Sequence, residues 1–151
     1  MKATLACSRS ARKAHTAGFS MLEMLVSIIV LTMGLLSVAG LNARSLAAND
    51  SSGYRASAGQ LAMRISDAMR ANRDATFRGD YVLTMGQAAP AASTKAGADL
   101  TSWKTALSAL PAGDGSVAYS NATRQATVIV RWNDQRAGGD VVSDFTYAFR
   151  P

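Results

Sequence analysis

The feature that most constrains this chain is an apolar run at residues 19–41. The run is 23 residues long and carries a single charged side chain, that of Glu23. At about 1.5 Å of rise per residue, a helix of this length spans roughly 34 Å, which is enough to cross a bilayer core of about 30 Å. The sequence therefore predicts one membrane-spanning helix at 19–41.

The residues before this run are basic. Within 1–17 there is no acidic residue, and the positive charges are those of Lys2, Arg9, Arg12 and Lys13. Positive charge on this side predicts a cytoplasmic N-terminus, with the residues beyond 42 across the membrane. The same four side chains supply most of the formal net charge of +6, so the remainder is nearly balanced and we do not expect nucleic-acid binding.

The chain has one cysteine and one histidine, Cys7 and His15, and both precede residue 18. If 1–18 is removed as a leader, the mature chain has no thiol and no imidazole. It then lacks a disulfide, a zinc site of the usual Cys/His type and a nucleophile activated by histidine. We expect no cofactor, no metal and no catalytic residue, and therefore a structural protein rather than an enzyme.

Two other kinds of targeting segment compete with this interpretation. A secretory signal peptide would be cut after the apolar run, and the small residues at 38–40 offer a site for that cut. A lipoprotein signal at Cys7 fails, because no apolar region precedes this residue.

Glu23 has two possible environments. A charged side chain costs about 2.5 kcal/mol or more near the centre of a membrane helix. Either a cationic partner compensates the carboxylate, or the carboxylate lies near the membrane surface and stays hydrated. Composition does not separate the two.

The segment from Gly18 to Val26 resembles the leader motif of type IV pilins and type II secretion pseudopilins. In that family a basic leader ends in Gly, Phe follows, and Glu is the fifth residue after the Gly, as at Gly18, Phe19 and Glu23. The resemblance implies prepilin peptidase cleavage between Gly18 and Phe19 and methylation of the new Phe19 amine. It also implies that Glu23 meets the terminal amine of a neighbouring subunit, and a buried carboxylate does favour a buried cation. The leader is longer than those of many major pilins, which argues against a major pilin.

Later segments resemble the PilV-type group of minor type IV pilins. Residues 60–73 match its apolar-Ala-x-x-apolar-x-Asp-x-Met-Arg-Ala-Asn-Arg pattern, and Trp103, 107–111 and 127–134 also fit. The resemblance implies a minor pilin that helps to prime or modify pilus assembly. The partners it implies are the prepilin peptidase, the major pilin, other minor pilins, the inner-membrane assembly machinery and, before assembly, membrane lipid.

The location that follows is a single pass through the inner membrane, with a periplasmic C-terminal domain, and later the extracellular pilus. A minor pseudopilin of a type II secretion system fits the same motif and is the close alternative. A single-pass membrane-anchored enzyme is the alternative of a different class.

Four parts make up the predicted organisation: a cleaved leader at 1–18, the membrane and filament-core helix at 19–41, an amphipathic continuation at 42–75, and a loop-and-sheet region at 76–151. The Asn-Asp-Ser-Ser-Gly cluster at 49–53 either ends the first helix or lies within one long helix. Beyond it, apolar residues recur at three- and four-residue steps, which predicts a helix packed along one face: Tyr54, Ala58, Leu61, Ile65, Ala68 and Met69.

Residues 79–98 are rich in Ala, Gly, Ser and Thr and predict a connecting loop, with a short strand at 81–85. A helix capped by Asp99 or Thr101 should follow and continue through Leu110.

Period-two alternation predicts three antiparallel strands, at 117–120, 125–132 and 142–149. One face of this sheet should be covered by the amphipathic helix at 54–73. The predicted fold is therefore α+β, a long N-terminal helix packed on a small antiparallel sheet, as in type IV pilins.

Two charged clusters remain. The arginines interleave with aspartates and lack the interspersed aromatic residues of a single-strand binding groove, so they predict a solvated face: Arg64, Arg70, Arg73 and Arg78. The acidic cluster flanks a Gly-Gly turn without the spacing of a calcium loop, so turn chemistry explains it better than a metal or an acid/base pair: Asp134, Asp140 and Asp144.

Overall fold

The longest element of the structure is the helix at its N-terminal end. In the computed structural model, which describes residues 18–135 and 138–151, helix α1 covers Met21–Ala71 as 51 continuous residues. The polar cluster at 49–53 lies inside this helix and does not end it. The hydroxyl of Ser52 donates to the Ala48 carbonyl at 2.9 Å, so the helix backbone satisfies this polar side chain. Of the predicted leader at 1–18, residues 1–17 lie outside the described residues.

The chain divides into two units, Met1–Ala39 and Gly40–Pro151. The described part of the first unit is helical from Met21 onward and exposes its side chains to the surroundings. The second unit holds the remainder of α1, two shorter helices and the sheet, together with the buried core.

Helix α1 ends at Ala71, and a short helix α2 covers Arg73–Arg78. Asn72 between them has φ −127° and ψ 59°, which is outside the helical region, so the predicted helical segment 42–75 is divided at this residue. Gly79 ends α2 with φ 85°, a left-handed conformation that glycine adopts without a steric penalty.

Helix α3 covers Lys95–Leu107, and the predicted start at Asp99 or Thr101 is wrong. The cap is Thr94, whose Oγ1 accepts a hydrogen bond of 3.0 Å from the Gly97 N–H. Gly97 is buried in this helix, and a Cβ at this position would lie 2.2 Å from the Ala91 carbonyl oxygen. The preceding loop therefore leaves room only for glycine at this position. The predicted end at Leu110 is also too late, since turns occupy the last three residues.

Three antiparallel strands form one sheet in the order β1–β2–β3. Strand β1 covers Asp114–Ser120, β2 covers Gln125–Trp132 and β3 covers Ser143–Phe149. The prediction for β2 has the same bounds as the strand. Strand β1 begins at Asp114, three residues before the predicted 117, and includes Gly115.

The short strand predicted at 81–85 is wrong as a strand. Only Leu83 pairs, through an isolated antiparallel bridge to Val117. The neighbouring positions turn away at Gly86, which has φ 79°.

The core lies between the sheet and the helices that cover it, which confirms the predicted α+β architecture. In β2 the alternate residues are all buried, as the period-two pattern predicts. They are Ala126, Val128, Val130 and Trp132. The helical stripe of α1 supplies the facing side chains, and its fully buried apolar members are Ala58, Ala62, Ile65 and Met69.

Candidate functional site

The predicted cleavage site lies in three non-helical residues directly before α1. Gly18 and Phe19 are both exposed, Phe19 by 80% of its surface, and a Cβ built at Gly18 would meet no atom within 4 Å. The peptide bond between them is therefore open to solvent on all described sides. A peptidase needs an accessible, non-helical segment of this kind.

Helix α1 begins where it does because Ser20 caps it. The Oγ of Ser20 accepts a hydrogen bond of 3.3 Å from the Glu23 N–H, and its carbonyl accepts one of 3.1 Å from the Met24 N–H. These contacts satisfy two of the backbone donors that a helix start leaves unpaired. Sequence reasoning missed Ser20, although its three-residue spacing from Glu23 is that of a capping box.

Glu23 lies in the first turn of α1 and is exposed. Over residues 18–135 and 138–151, no lysine or arginine forms an ion pair with its carboxylate. The positive end of the helix dipole favours a negative charge here, by about 0.3–1 kcal/mol at an exposed site. The described part of the fold therefore brings no cation to Glu23, and its predicted partner in a neighbouring subunit stays a prediction.

The apolar side chains that follow Glu23 are exposed throughout the first unit. The hydroxyl groups between Glu23 and Ala39 each donate to a carbonyl of the same helix, which reduces the polarity of this surface. Ser27 donates to Glu23, Thr32 to Ile29 and Ser37 to Met33, at 2.7–2.9 Å. Helix α1 is long and apolar enough to span a membrane.

The arginine cluster is engaged within the domain. Arg64 donates to the Ser102 hydroxyl at 2.9 Å, and Arg70 pairs with Asp67 at 3.1 Å. Two arginines also lie over aromatic rings, Arg70 over Phe149 at 4.9 Å from the ring centroid and Arg73 over Phe77 at 5.8 Å. The fold brings Phe149 of β3 to Arg70, whereas Phe77 lies only four residues after Arg73 in the same short helix. Both rings are therefore engaged in intramolecular cation–π contacts with these arginines.

The three carboxylates near the Gly-Gly turn do not converge. Asp134 is buried, and its Oδ2 accepts a hydrogen bond of 2.5 Å from the Ser51 hydroxyl on α1. The Asp140 main-chain carbonyl accepts from the Asp134 N–H. Asp144 is bound by the guanidinium of Arg131 at 2.7 and 2.8 Å, which lowers the pKa of the Asp144 carboxyl below its ordinary value. In the described part of the chain, no three His, Cys, Asp or Glu side chains group as metal ligands.

Comparison with known proteins assigns no family to this chain. A scan against models of protein families, a search of the curated proteins and a search of the solved structures each found no match to this chain. The candidate site is therefore identified by its own residues: an exposed Gly18–Phe19 bond, a capped helix start, and a Glu23 carboxylate that pairs with none of the described lysines and arginines.

Proposed function

We propose that this chain is a minor type IV pilin of the PilV type, a structural subunit that helps to prime or modify pilus assembly. The observation that carries the proposal is the exposed Gly18–Phe19 bond. Gly18 lies three residues before Met21, where α1 begins, and five residues before Glu23. Cleavage between Gly18 and Phe19 by a prepilin peptidase would release a new amine, which would then be methylated.

The apolar part of α1 supports an assembly role. Its side chains from Met21 to Leu41 are exposed, so the isolated chain leaves them without an apolar environment. Burial of apolar surface is worth about 25 cal/mol per Å², so such a helix requires lipid or other helices around it. In the proposed function the inner membrane covers it before assembly, and the major pilin and other minor pilins cover it inside the filament.

Glu23 supports the same proposal because its carboxylate pairs with no lysine or arginine of the described residues. Moving an unpaired carboxylate into an apolar filament core costs several kcal/mol unless a cation accompanies it. Cleavage after Gly18 creates a cation, the Phe19 amine, on every mature subunit. Pairing of Glu23 with the amine of a neighbour would therefore couple processing to assembly, since an uncut chain has no such amine.

The decisive experiment is the intact mass of the membrane-bound chain from cells with and without prepilin peptidase. We expect a chain that begins at Phe19 and carries one added methyl group, and only where the peptidase is present. Gly18→Val should block the cut, while the matched variant Gly34→Ala, at a glycine with open space around it, should be cut normally. A chain that still begins at Met1 in peptidase-active cells, or one cut near 38–40, would sink the proposal.

Pilus assembly is separated from type II secretion by deleting the gene and scoring both processes. We expect loss or change of surface pili with protein secretion intact. Normal pili with lost secretion would assign the chain to the pseudopilins, because both groups share the cleavage motif.

A further inference from the structure

Strand β3 forms an open edge of the sheet. It pairs with β2 along its whole length, from Trp132↔Ser143 to Ala126↔Phe149. On its other side no strand borders it among residues 18–135 and 138–151. No described turn or loop donates a backbone hydrogen bond to β3 either.

The opposite edge of the sheet is closed at its centre. There the N–H of Leu83 donates to the Val117 carbonyl at 2.9 Å, and the N–H of Val117 donates to the Leu83 carbonyl at 2.8 Å. One segment of the chain thus covers β1, and no described segment covers β3 in the same way. An unprotected edge is a template for strand addition, which natural proteins usually block.

The Leu83 bridge also determines which groups of β3 point outward. Since the backbone of Val117 is directed at Leu83, Val117 and Val128 form a non-hydrogen-bonded pair, and hydrogen-bonded pairs alternate with such pairs along an antiparallel ladder. Val128 then directs its backbone groups to Tyr147 in β3. The alternate residues of β3 direct theirs away from the sheet, and these are Asp144, Thr146 and Ala148.

The usual devices that block an edge strand are weak here. Strand β3 contains no proline and no glycine, and its one charged side chain, Asp144, is paired with Arg131. The two residues before the strand, Val141 and Val142, expose 58% and 54% of their surfaces. Apolar β-branched side chains therefore extend the open edge beyond the paired strand.

We propose that the β3 edge binds an extended segment of a partner polypeptide, which joins the sheet as a fourth strand. Charge at the two ends of the edge defines the segment: Asp140 is exposed at its start and Arg150 is exposed at its end. The segment that fits has a basic residue beside Asp140 and an acidic residue beside Arg150. Main-chain hydrogen bonds to the outward groups supply the binding, as in other strand additions.

A second copy of this chain, paired antiparallel through its own β3 edge, is a poor occupant. Strand β3 runs in the same direction as α1, because the Phe145 ring packs at Gly59 while Tyr147 and Phe149 contact Arg70 further along. Two β3 strands paired antiparallel would point the two α1 helices in opposite directions. Two copies whose helices enter one membrane from the same side do not have this arrangement, so this step rests on the proposed membrane location.

The test uses the full-length chain in detergent micelles and a fluorescent synthetic peptide with the sequence of residues 140–150. In an antiparallel pairing, the peptide's arginine lies beside Asp140 and its first aspartate lies beside Arg150. We expect saturable binding by fluorescence anisotropy. Thr146→Pro removes one outward N–H and should weaken binding about tenfold, the equivalent of one main-chain hydrogen bond. Thr146→Ala keeps that N–H and should bind within about twofold of the unmodified chain.

The register is tested by disulfide trapping. In the pairing above, Val142 of the chain lies opposite peptide position 148, so Val142→Cys, in a Cys7→Ser background, should crosslink to a peptide with cysteine at that position. A peptide with cysteine at position 147, on the other face, should not crosslink. These crosslinks decide the question if Thr146→Pro fails to fold. Absence of saturable binding, crosslinking without position preference, or dimers of the chain that exclude the peptide would each overturn the proposal.

Discussion

The indole Nε1 of Trp103 donates a hydrogen bond of 2.9 Å to the main-chain carbonyl of Leu61. The contact joins α3 to α1 across 42 positions of sequence. The same ring, only 1% exposed, is the surface on which Gly115 of β1 packs. One side chain therefore holds together two helices and an edge strand of the sheet.

Replacing this tryptophan tests the hydrogen bond separately from ring burial. Trp103→Phe should destabilise the folded domain by about 1 kcal/mol more than Trp132→Phe, since a hydrogen bond contributes about that much. Trp132 is the matched control because it is also buried, at 2% exposure, and its Nε1 has no partner among the described residues. Urea unfolding followed by circular dichroism gives both values. Equal losses would show that the bond to Leu61 contributes nothing to stability.

Two glycines should respond to alanine in opposite directions. At Gly115 a Cβ would lie 2.5 Å from Cη2 of Trp103 and 2.9 Å from Cδ1 of Leu107, so Gly115→Ala should cost about 1–3 kcal/mol through overpacking. At Gly53, inside α1, a Cβ meets nothing within 4 Å, so Gly53→Ala should stabilise the helix by about 0.5–1 kcal/mol. Thermal unfolding of the two variants in the same detergent checks the signs. A Gly115→Ala protein as stable as the original would mean that the ring of Trp103 moves aside.

Tyr81 predicts how stability falls at alkaline pH. Burial, together with its hydrogen bond to Asp99, raises the pKa of the Tyr81 hydroxyl from 10.0 to about 12. Because the folded protein holds this proton more tightly than the unfolded chain, the stabilisation is fully present below pH 10 and is lost as pH rises from about 10 towards about 12. Tyr81→Phe should remove this part of the pH dependence, as measured by urea unfolding between about pH 9 and about pH 12. An unchanged slope of the free energy of unfolding against pH would mean that another group causes the loss of stability at alkaline pH.

Glu23 separates processing from assembly. We expect Glu23→Ala to be cut and methylated like the unmodified chain, because the Gly18–Phe19 bond precedes α1 and stays exposed. The variant should enter filaments poorly, because the amine of a neighbour would lose its carboxylate partner. Intact mass measures the cut, and immunoblots of sheared pili measure incorporation. Thr32→Ala, in the same exposed helix, is the control, and full incorporation of Glu23→Ala would refute the proposed pairing.

The residues that sequence reasoning placed well are those with a strong local pattern. The period-two alternation in β2 predicts both its bounds and its buried side chains, because inward and outward positions alternate strictly in a strand. The stripe through Ala58, Ile65 and Met69 likewise predicts the buried face of α1. The start of α3 was wrong because Thr94 is one of several residues able to cap it. Thr94 is identified as the cap by the hydrogen bond that its Oγ1 accepts from the Gly97 N–H, at a glycine where the Ala91 carbonyl leaves no room for a Cβ.

By itself the sequence determined the long apolar helix, its single carboxylate at Glu23 and the alternating strands. These depend on the order of side chains along one segment, and hydrophobic periodicity follows from backbone geometry alone. Only the tertiary structure decided that 49–53 continues the helix, that Leu83 closes one edge of the sheet and that no described strand borders the outer side of β3. Each of these outcomes depends on which distant segment satisfies a backbone or side-chain group. The Ser51 hydroxyl, for example, meets Asp134 across 83 positions, and no local pattern contains that information.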